Sequence, residues 1–280
     1  MQSGYYNTTG GMVTQFNRLD LISNNLANLN TAGFKRDDVV IGDYLRLYET
    51  HKEQLPIEDH TRKAAKFLNR TMDRVPIISE EYTDRSVGSL AQTDNSLDFA
   101  LQKENAYFVI KTPDGIRYTR DGSFSLDSEG YIVNKSGHLV LSRNGLEEEQ
   151  EEQNGIQISA GLNLEADASG NLYARNLNND AIAEQINIGA LAVVAFENPR
   201  YLKKVGQNLY EYPAEREDER EIVRDPLLAQ GFIEKSNVNA VREMSSLIET
   251  NRLVDMYSKV MKSHMDDLNA EAITKLAVRA

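Results

Sequence analysis

Near the start of the chain, apolar residues fall at Met12, Phe16, Leu19, Ile22, Leu26 and Leu29. Gaps of three and four place them on one face of a helix. Asn17, Arg18, Asp20, Ser23 and Asn24 lie opposite. Gly10-Gly11 interrupts the beginning, so the first turns are expected to be loose or to order late. Ala32-Gly33 supplies a break, and the helix is expected to stop near Asn30. The far end repeats the pattern. Leu247, Val254, Met261 and Leu268 are spaced by seven, and Met244 and Met265 extend a second row that Asn251 and Ser258 interrupt. This spacing predicts one helix of about 35–40 residues, ~55 Å long at 1.5 Å per residue. In the stretch "SNVNA", Asn237 or Asn239 is placed to cap its free N–H groups. A polar residue in an apolar seam lowers stability but disfavours wrong registers, which makes Asn251 and Ser258 candidate register markers.

Between these helices the period changes. "AYFVIKTPDGIRYTRDGSFSLDSEGYIVNKSGHLVLSRNG" alternates short β-branched or aromatic runs with Asp-Gly, Glu-Gly, Ser-Gly and Asn-Gly. Those are hairpin signals at close spacing. The pattern resumes in "LNLEADASGNLYARN" and "INIGALAVVAFENP", so an antiparallel β domain is expected. Residues 34–89 lack a clean period and read as an extended connector with a short helix or a hairpin. The fold class is therefore α+β: an N-terminal helix over 1–33, the connector over 34–89, a β-rich domain over 90–236 and a C-terminal helix over 237–280. Neither terminal stripe can be buried within its own helix. They must pair with each other, with other subunits, or both.

Composition narrows the function. The net charge of −12 argues against nucleic acid or an anionic membrane as the main partner. No apolar run approaches the ~20 residues of a membrane span. With no cysteine, disulfides and thiolate metal sites are excluded. "MQSGYYNTTGGMVTQF" lacks the basic and apolar regions of a cleaved secretory leader, so none is expected. Catalysis finds little support. His51, His60, His138 and His264 are scattered, and no phosphate loop or nucleophile elbow occurs. "DASGN" and "DSEGY" hold too few oxygen ligands for a calcium loop and read as turns in which Asp accepts local backbone bonds. No catalytic residue, cofactor or metal is assigned. The acidic run Glu147–Glu152 reads as a solvated loop, or as a contact with a basic neighbour.

Three stretches, taken together, carry a resemblance. "LDLISNNLANLNTAGFKR" resembles the N-terminal signature of the flagellar axial family, the rod, hook and hook-associated proteins of the bacterial flagellum. "SLDFALQKENAYFVIKTPDGIRYTRDGSFSLDSEGYIVNKSGHLVL" is similar to its central β segment, and "GFIEKSNVNAVREMSSLIETNRL" to its C-terminal signature. The matches occur in the family's order. The chain departs at "QKENAYFVI", where a glycine-rich run is common, and in its acidic run. The length suits a rod subunit, of the proximal type first and the distal type next. The resemblance implies a coiled inner D0-like layer from the terminal helices and an outer D1-like layer from the β domain. It implies export without a cleaved signal through the flagellar type III apparatus, and assembly with copies of itself or other rod proteins into a tube across the periplasm that transmits torque. Hook-side or ring proteins are further implied partners. A secreted adhesin-like β module with trimerising helical ends, and a carbohydrate-active enzyme on a β scaffold, are the readings from other classes. The chain has no Trp, which weakens a sugar-stacking site.

The candidate assembly residues are therefore Met12, Phe16, Leu19, Ile22, Leu26, Leu29, Met244, Leu247, Val254, Met261, Met265 and Leu268. A second set comes from the amides that crowd the end of the first helix. If the helices run antiparallel, Asn24, Asn25, Asn28 and Asn30 approach Ser236, Asn237 and Asn239. Amides carry both donor and acceptor and suit the unpaired groups of helix ends. These residues are expected to form one polar junction between coil and β domain. Asn30 or Gly33 is expected to be left-handed, and Phe34 to anchor the exit.

Overall fold

The computed structural model describes residues 2–43, 76–147, 155–159, 162–176 and 186–277. The described residues fall into two compact units. One comprises the chain up to Ala27, the described part of Asp37–Asp84, and the chain from Asn239 on; the other comprises Asn28–Arg36 and the described part of Arg85–Val238.

In the helical unit, the helix Gln2–Ala27 packs on the helix Ala240–Ala277, whose 38 residues match the expected length. The pair is antiparallel. Asn25 meets Glu243, Gly11 meets Tyr257, and Thr9 donates to the Met261 sulfur at 3.9 Å. Gly10-Gly11 lies within regular helix rather than in a loose turn. The reason is close approach: a Cβ on Gly11 would lie 2.6 Å from the Tyr257 ring. The first helix stops at Ala27, three residues before Asn30, and the following residues turn instead. Asn239 caps the second helix, its Oδ1 accepting from the Arg242 N–H at 3.1 Å. The connector contributes a hairpin, Asp37–Asp43 against Pro76–Thr83, antiparallel with a bulge between Val40 and Ile41. The rest of the connector, with His51 and His60, lies outside the described residues, as does the acidic stretch 148–154.

The β unit is antiparallel throughout its described ladders. Its largest sheet runs Lys203–Gly206, Leu209–Glu211, Gly115–Thr119, Ala106–Thr112, Leu139–Val140, Ile132–Val133, Ser125–Leu126. Val193–Phe196 joins Ala106–Thr112 to Arg220–Ile222. The central strand explains its own sequence. In Ala106–Thr112, Phe108 and Ile110 enter one apolar cluster with Phe99, Ile132 and Leu191, while Tyr107 and Val109 enter another with Tyr118, Phe196 and Tyr210. Both faces are covered, so the strand reads as an unbroken apolar run. Asn105, at the point of departure from the family's glycine-rich run, has φ +56° and takes a conformation that glycine supplies freely. "DSEGY" and "DASGN" are turns: Asp127 Oδ1 accepts from the N–H groups of Glu129 and Tyr131, and Asp167 Oδ1 from that of Asn171.

Two short ladders close the unit. Leu228–Gln230 pairs with Phe99–Leu101, and Phe232–Glu234 pairs with Leu90–Gln92.

Gly11→Ala is expected to lower the thermal midpoint of the helical pair by circular dichroism, because the methyl group meets the Tyr257 ring. In a Tyr257→Leu background the same substitution is expected to raise it, since Ala exceeds Gly in helix propensity by ~1 kcal/mol. An equal effect in both backgrounds would contradict the close-approach account.

Candidate assembly site

The seam between the helices is more polar than their stripes suggest. On the first helix the buried positions are Thr8, Gly11, Thr14, Gln15, Ile22 and Asn25. On the second they are Glu243 and Thr250, with Leu247, Val254, Tyr257, Met261 and His264 half-buried. Glu243, Leu247, Thr250, Val254, Tyr257 and Met261 alternate gaps of four and three, the spacing of a coiled-coil seam. So the row beside Leu247, Val254 and Met261 is Glu243, Thr250 and Tyr257. Met244 and Met265 sit off it and are exposed, at 54% and 49%. Asn251 is exposed and Ser258 half-buried, off the seam rows; the polar residues buried in this helix are Glu243 and Thr250. On the first helix Met12, Leu19, Leu26 and Leu29 are half-buried, Ile22 is buried and Phe16 is exposed at 45%. The side chain of Leu268 lies outside the described residues. Val13, Val241, Ile248, Met256 and Val260 are also exposed. Large apolar side chains are left outside while hydroxyls and amides line the inside.

The amides divide between the two units. In the helical unit, Asn25 is 1% exposed and clamps the start of the hairpin. Its Nδ2 donates to the Asp37 carbonyl at 2.8 Å, and its Oδ1 accepts from the Asp37 N–H at 3.0 Å. That bidentate pairing is what an amide side chain offers a peptide group and an apolar one does not. Asn24 is exposed on the same helix. In the β unit, Asn28 accepts from the Thr31 hydroxyl at 3.1 Å, and Asn30 is exposed. Gly33 is left-handed at φ +66°, and a Cβ there would collide with the backbone of Arg120 and Asp121. Phe34 is buried, with Lys204 Nζ 4.2 Å from its ring centre. Asn237 bridges the exit: its Oδ1 accepts from the Arg36 N–H at 2.8 Å and its N–H donates to the Phe34 carbonyl at 3.4 Å. Ser236 Oγ accepts from the Val238 N–H at 3.3 Å.

Beside this exit lies a cluster that the sequence reading did not single out. Glu234 is 1% exposed. Its Oε1 accepts from Lys35 Nζ at 2.6 Å and from the Gly88 N–H at 2.8 Å. Its Oε2 accepts from Arg120 Nε at 2.8 Å and lies 2.7 Å from Arg120 Nη2. The remaining Arg120 donors reach the carbonyls of Lys103, Ala106 and Leu101. Lys35 Nζ also donates to the Ser86 carbonyl, and the Gly33 N–H donates to the Glu234 carbonyl. Two cations share one carboxylate, and backbone carbonyls disperse the surplus positive charge. The available signal was weak: Lys35 and Glu234 directly follow Phe34 and Ile233, and Arg120 comes two after Tyr118, but each stands beside another charge, Arg36, Lys235 and Asp121 respectively. Such charges are rarely buried unless paired.

Burial, and then the hydrogen bond to Glu219, push the Tyr212 phenol up to about 12, which leaves it a donor to that carboxylate rather than a base. Among the described residues, no group of three His, Asp or Glu could hold a metal ion, and no helix is long and apolar enough to cross a membrane.

Three family models match the chain. "Flagella basal body rod protein" matches residues 6–35, "Flagellar hook protein FlgE/F/G D1 domain" residues 103–192, and "Flagellar basal body rod FlgEFG protein C-terminal" residues 229–274. Each matched segment contributes one member of the triad. Among similar proteins, the flagellar basal-body rod protein FlgG of Buchnera aphidicola subsp. Schizaphis graminum is 31% identical, over 89% of this chain and 90% of its own length. FlgG of Borreliella burgdorferi is 30% identical over 94% and 95%. The rod protein FlgF of Mesorhizobium japonicum is 29% identical over 94% and 93%.

Gly33→Ala is expected to destabilise the β unit in urea by more than the ~1–3 kcal/mol that backbone strain costs, because the collision with the Arg120 and Asp121 backbone adds to it. Asn30→Ala, at an exposed position, is expected to stay within about 0.5 kcal/mol. Asn25→Leu is expected to lose about 1–3 kcal/mol in the helical unit, because both backbone groups of Asp37 lose their partner. Hydrogen exchange at the Asp37 amide reads that loss directly, and unchanged protection there would refute the clamp.

Proposed function

Because the chain belongs to the flagellar basal-body rod protein family, we propose that it is a structural subunit of the rod that polymerises through the outward faces of its two terminal helices. Rod proteins of this family are structural and assemble with other rod components, which places the chain in the flagellar basal body. The observation that carries the polymerisation reading is the division of side chains in the helical unit. Thr8, Thr14, Gln15, Asn25, Glu243 and Thr250 occupy the intrachain seam, while Phe16, Met244, Ile248 and Met265 face outward. A fully buried side chain of that size contributes ~1.5–3 kcal/mol. Several per subunit, repeated along a tube, offset the entropy of ordering the helices on assembly. In this reading the helical pair is the coiled inner D0-like layer and the β unit the outer D1-like layer. The polar junction residues mark where the chain passes from one to the other.

The remaining expectations follow from the same premise. The tube crosses the periplasm and transmits torque from motor to hook. The subunit reaches it through the type III export apparatus without a cleaved signal, and contacts hook-side or ring proteins at its ends. The sequence favoured the proximal rod and set the distal rod second. Relatives named FlgG outnumber those named FlgF among the similar proteins, and this weight favours the distal position. We take the distal rod as the first reading and the proximal rod as the second. An adhesin-like module or a carbohydrate enzyme gives no account of the paired terminal matches.

Met244→Asp and Met265→Asp are expected to abolish rod assembly and motility, while the β unit keeps its circular dichroism and urea midpoint. Removing residues 245–280 is expected to do the same. A strain that swims with both substitutions in place would overturn the interface. The height of a tagged subunit in images of intact motors separates distal from proximal.

A further inference from the structure

The three charges of the buried triad are far apart in sequence but arrive in a fixed order: Lys35, then Arg120, then Glu234. Both cations end on the same carboxylate, and all three side chains are at most 2% exposed. Without that carboxylate, two like charges face each other away from water, an arrangement proteins do not tolerate well. The segment around Glu234 also supplies the last ladders. Leu228–Gln230 covers Phe99–Leu101, Phe232–Glu234 covers Leu90–Gln92, and the Glu234 carbonyl receives the Gly33 N–H. Gly88 is held so close to the Lys235 carbonyl that no Cβ would fit, and its N–H completes the carboxylate's partners.

We infer that Glu234 is the closing charge of the β unit: Lys35 and Arg120 repel each other once they leave water, so the segments that carry them dock only when the Glu234 carboxylate seats between them. The anion lies 41 residues after the large sheet's Val193 and four before the unit's end at Val238. A chain that emerges N-terminus first therefore presents both cations long before their partner. Local hairpins such as Ala106–Thr112 with Gly115–Thr119 can form early, but their docking waits for the C-terminal segment. The device sits in the β unit of the single chain and does not depend on the rod reading. It is tested on the purified, unassembled protein.

Two measurements on the full chain test it. Pulse-labelled hydrogen exchange during refolding follows the Gln102 amide, which donates to the Leu227 carbonyl, and the Lys235 amide, which donates to the Ser89 carbonyl. Both are expected to gain protection in the same phase. Stable protection of Gln102 in an earlier phase than Lys235 would overturn the inference. Equilibrium unfolding in urea then tests the charge itself. Glu234→Gln keeps the shape and removes the anion, and is expected to lower the folding equilibrium constant of the β unit on the order of 100-fold or more. Adding Lys35→Met removes one of the stranded cations, and the double variant is expected to recover about tenfold or more of that loss. A double variant no more stable than Glu234→Gln would show that Glu234 acts through shape or hydrogen bonding alone, and would sink the repulsion mechanism. The rescue reads out even where the single variant fails to fold.

Discussion

A single carboxylate ties the β unit together. Glu234 accepts from Lys35, Arg120 and the Gly88 N–H at distances of 2.6–2.8 Å, with no water-exposed side. Such a cluster is a poor source of net stability, because desolvating three charges offsets most of their attraction. Its value lies in what it excludes. An apolar core of Phe99, Phe108, Ile110 and Leu191 would tolerate small shifts of the chain entering and leaving the unit. Arg120, with its donors directed at Glu234 and at three backbone carbonyls, does not. Gly33 and Gly88 carry the same constraint into the backbone: each passes so close to another chain segment that a side chain would not fit. The positions of Asn28–Arg36 and of the stretch ending at Val238 are thus fixed by charge geometry and by contact distance at once.

The helical unit follows the opposite economy. Its seam contains Glu243, Thr250, Gln15 and Asn25, and a glycine against Tyr257, while Met244, Ile248 and Met265 face out. Polar groups in a seam cost stability and disfavour wrong registers. Apolar groups outside cost stability in a monomer and return it in a polymer. In the proposed assembly, a pair built this way would have its exposed apolar side chains covered by neighbours. That arrangement suits a family whose members are parts of a rod.

Periodicity revealed both helices, their lengths within a few residues, and the antiparallel β segment, because these depend on patterns that repeat every two or every three to four positions. It did not reveal which helical face turns inward. Leu247, Val254 and Met261 form a seven-residue row, but so do Glu243, Thr250 and Tyr257, and the row chosen inside is decided by Gly11 and Asn25 on the other helix. No single-helix pattern contains that information. Gly10-Gly11 takes its place in regular helix for the same reason, since a glycine that loosens a lone helix is a glycine that admits a ring in a pair. The amides were legible as the end of a helix, yet the division between Asn25, bound to Asp37, and Asn237, bound to Arg36 and Phe34, rests on strands that the connector's sequence barely announces. The triad was not legible: Lys35, Arg120 and Glu234 each stand beside another charge, and pairing across 199 residues leaves no local period.

The family matches and the triad make one further step of argument. Residues 6–35, 103–192 and 229–274 are matched by three separate models, and Lys35, Arg120 and Glu234 fall one in each. A charge retained in a dry core is explained only by its partners, so no one of the three segments accounts for its own residue. Lys35 without Glu234 is a buried cation, and Glu234 without Arg120 is a carboxylate short of half its donors. The segments look like independent motifs because sequence models read the chain piece by piece. In the folded β unit their three charges form one cluster, and a substitution of any one of them changes the surroundings of the other two.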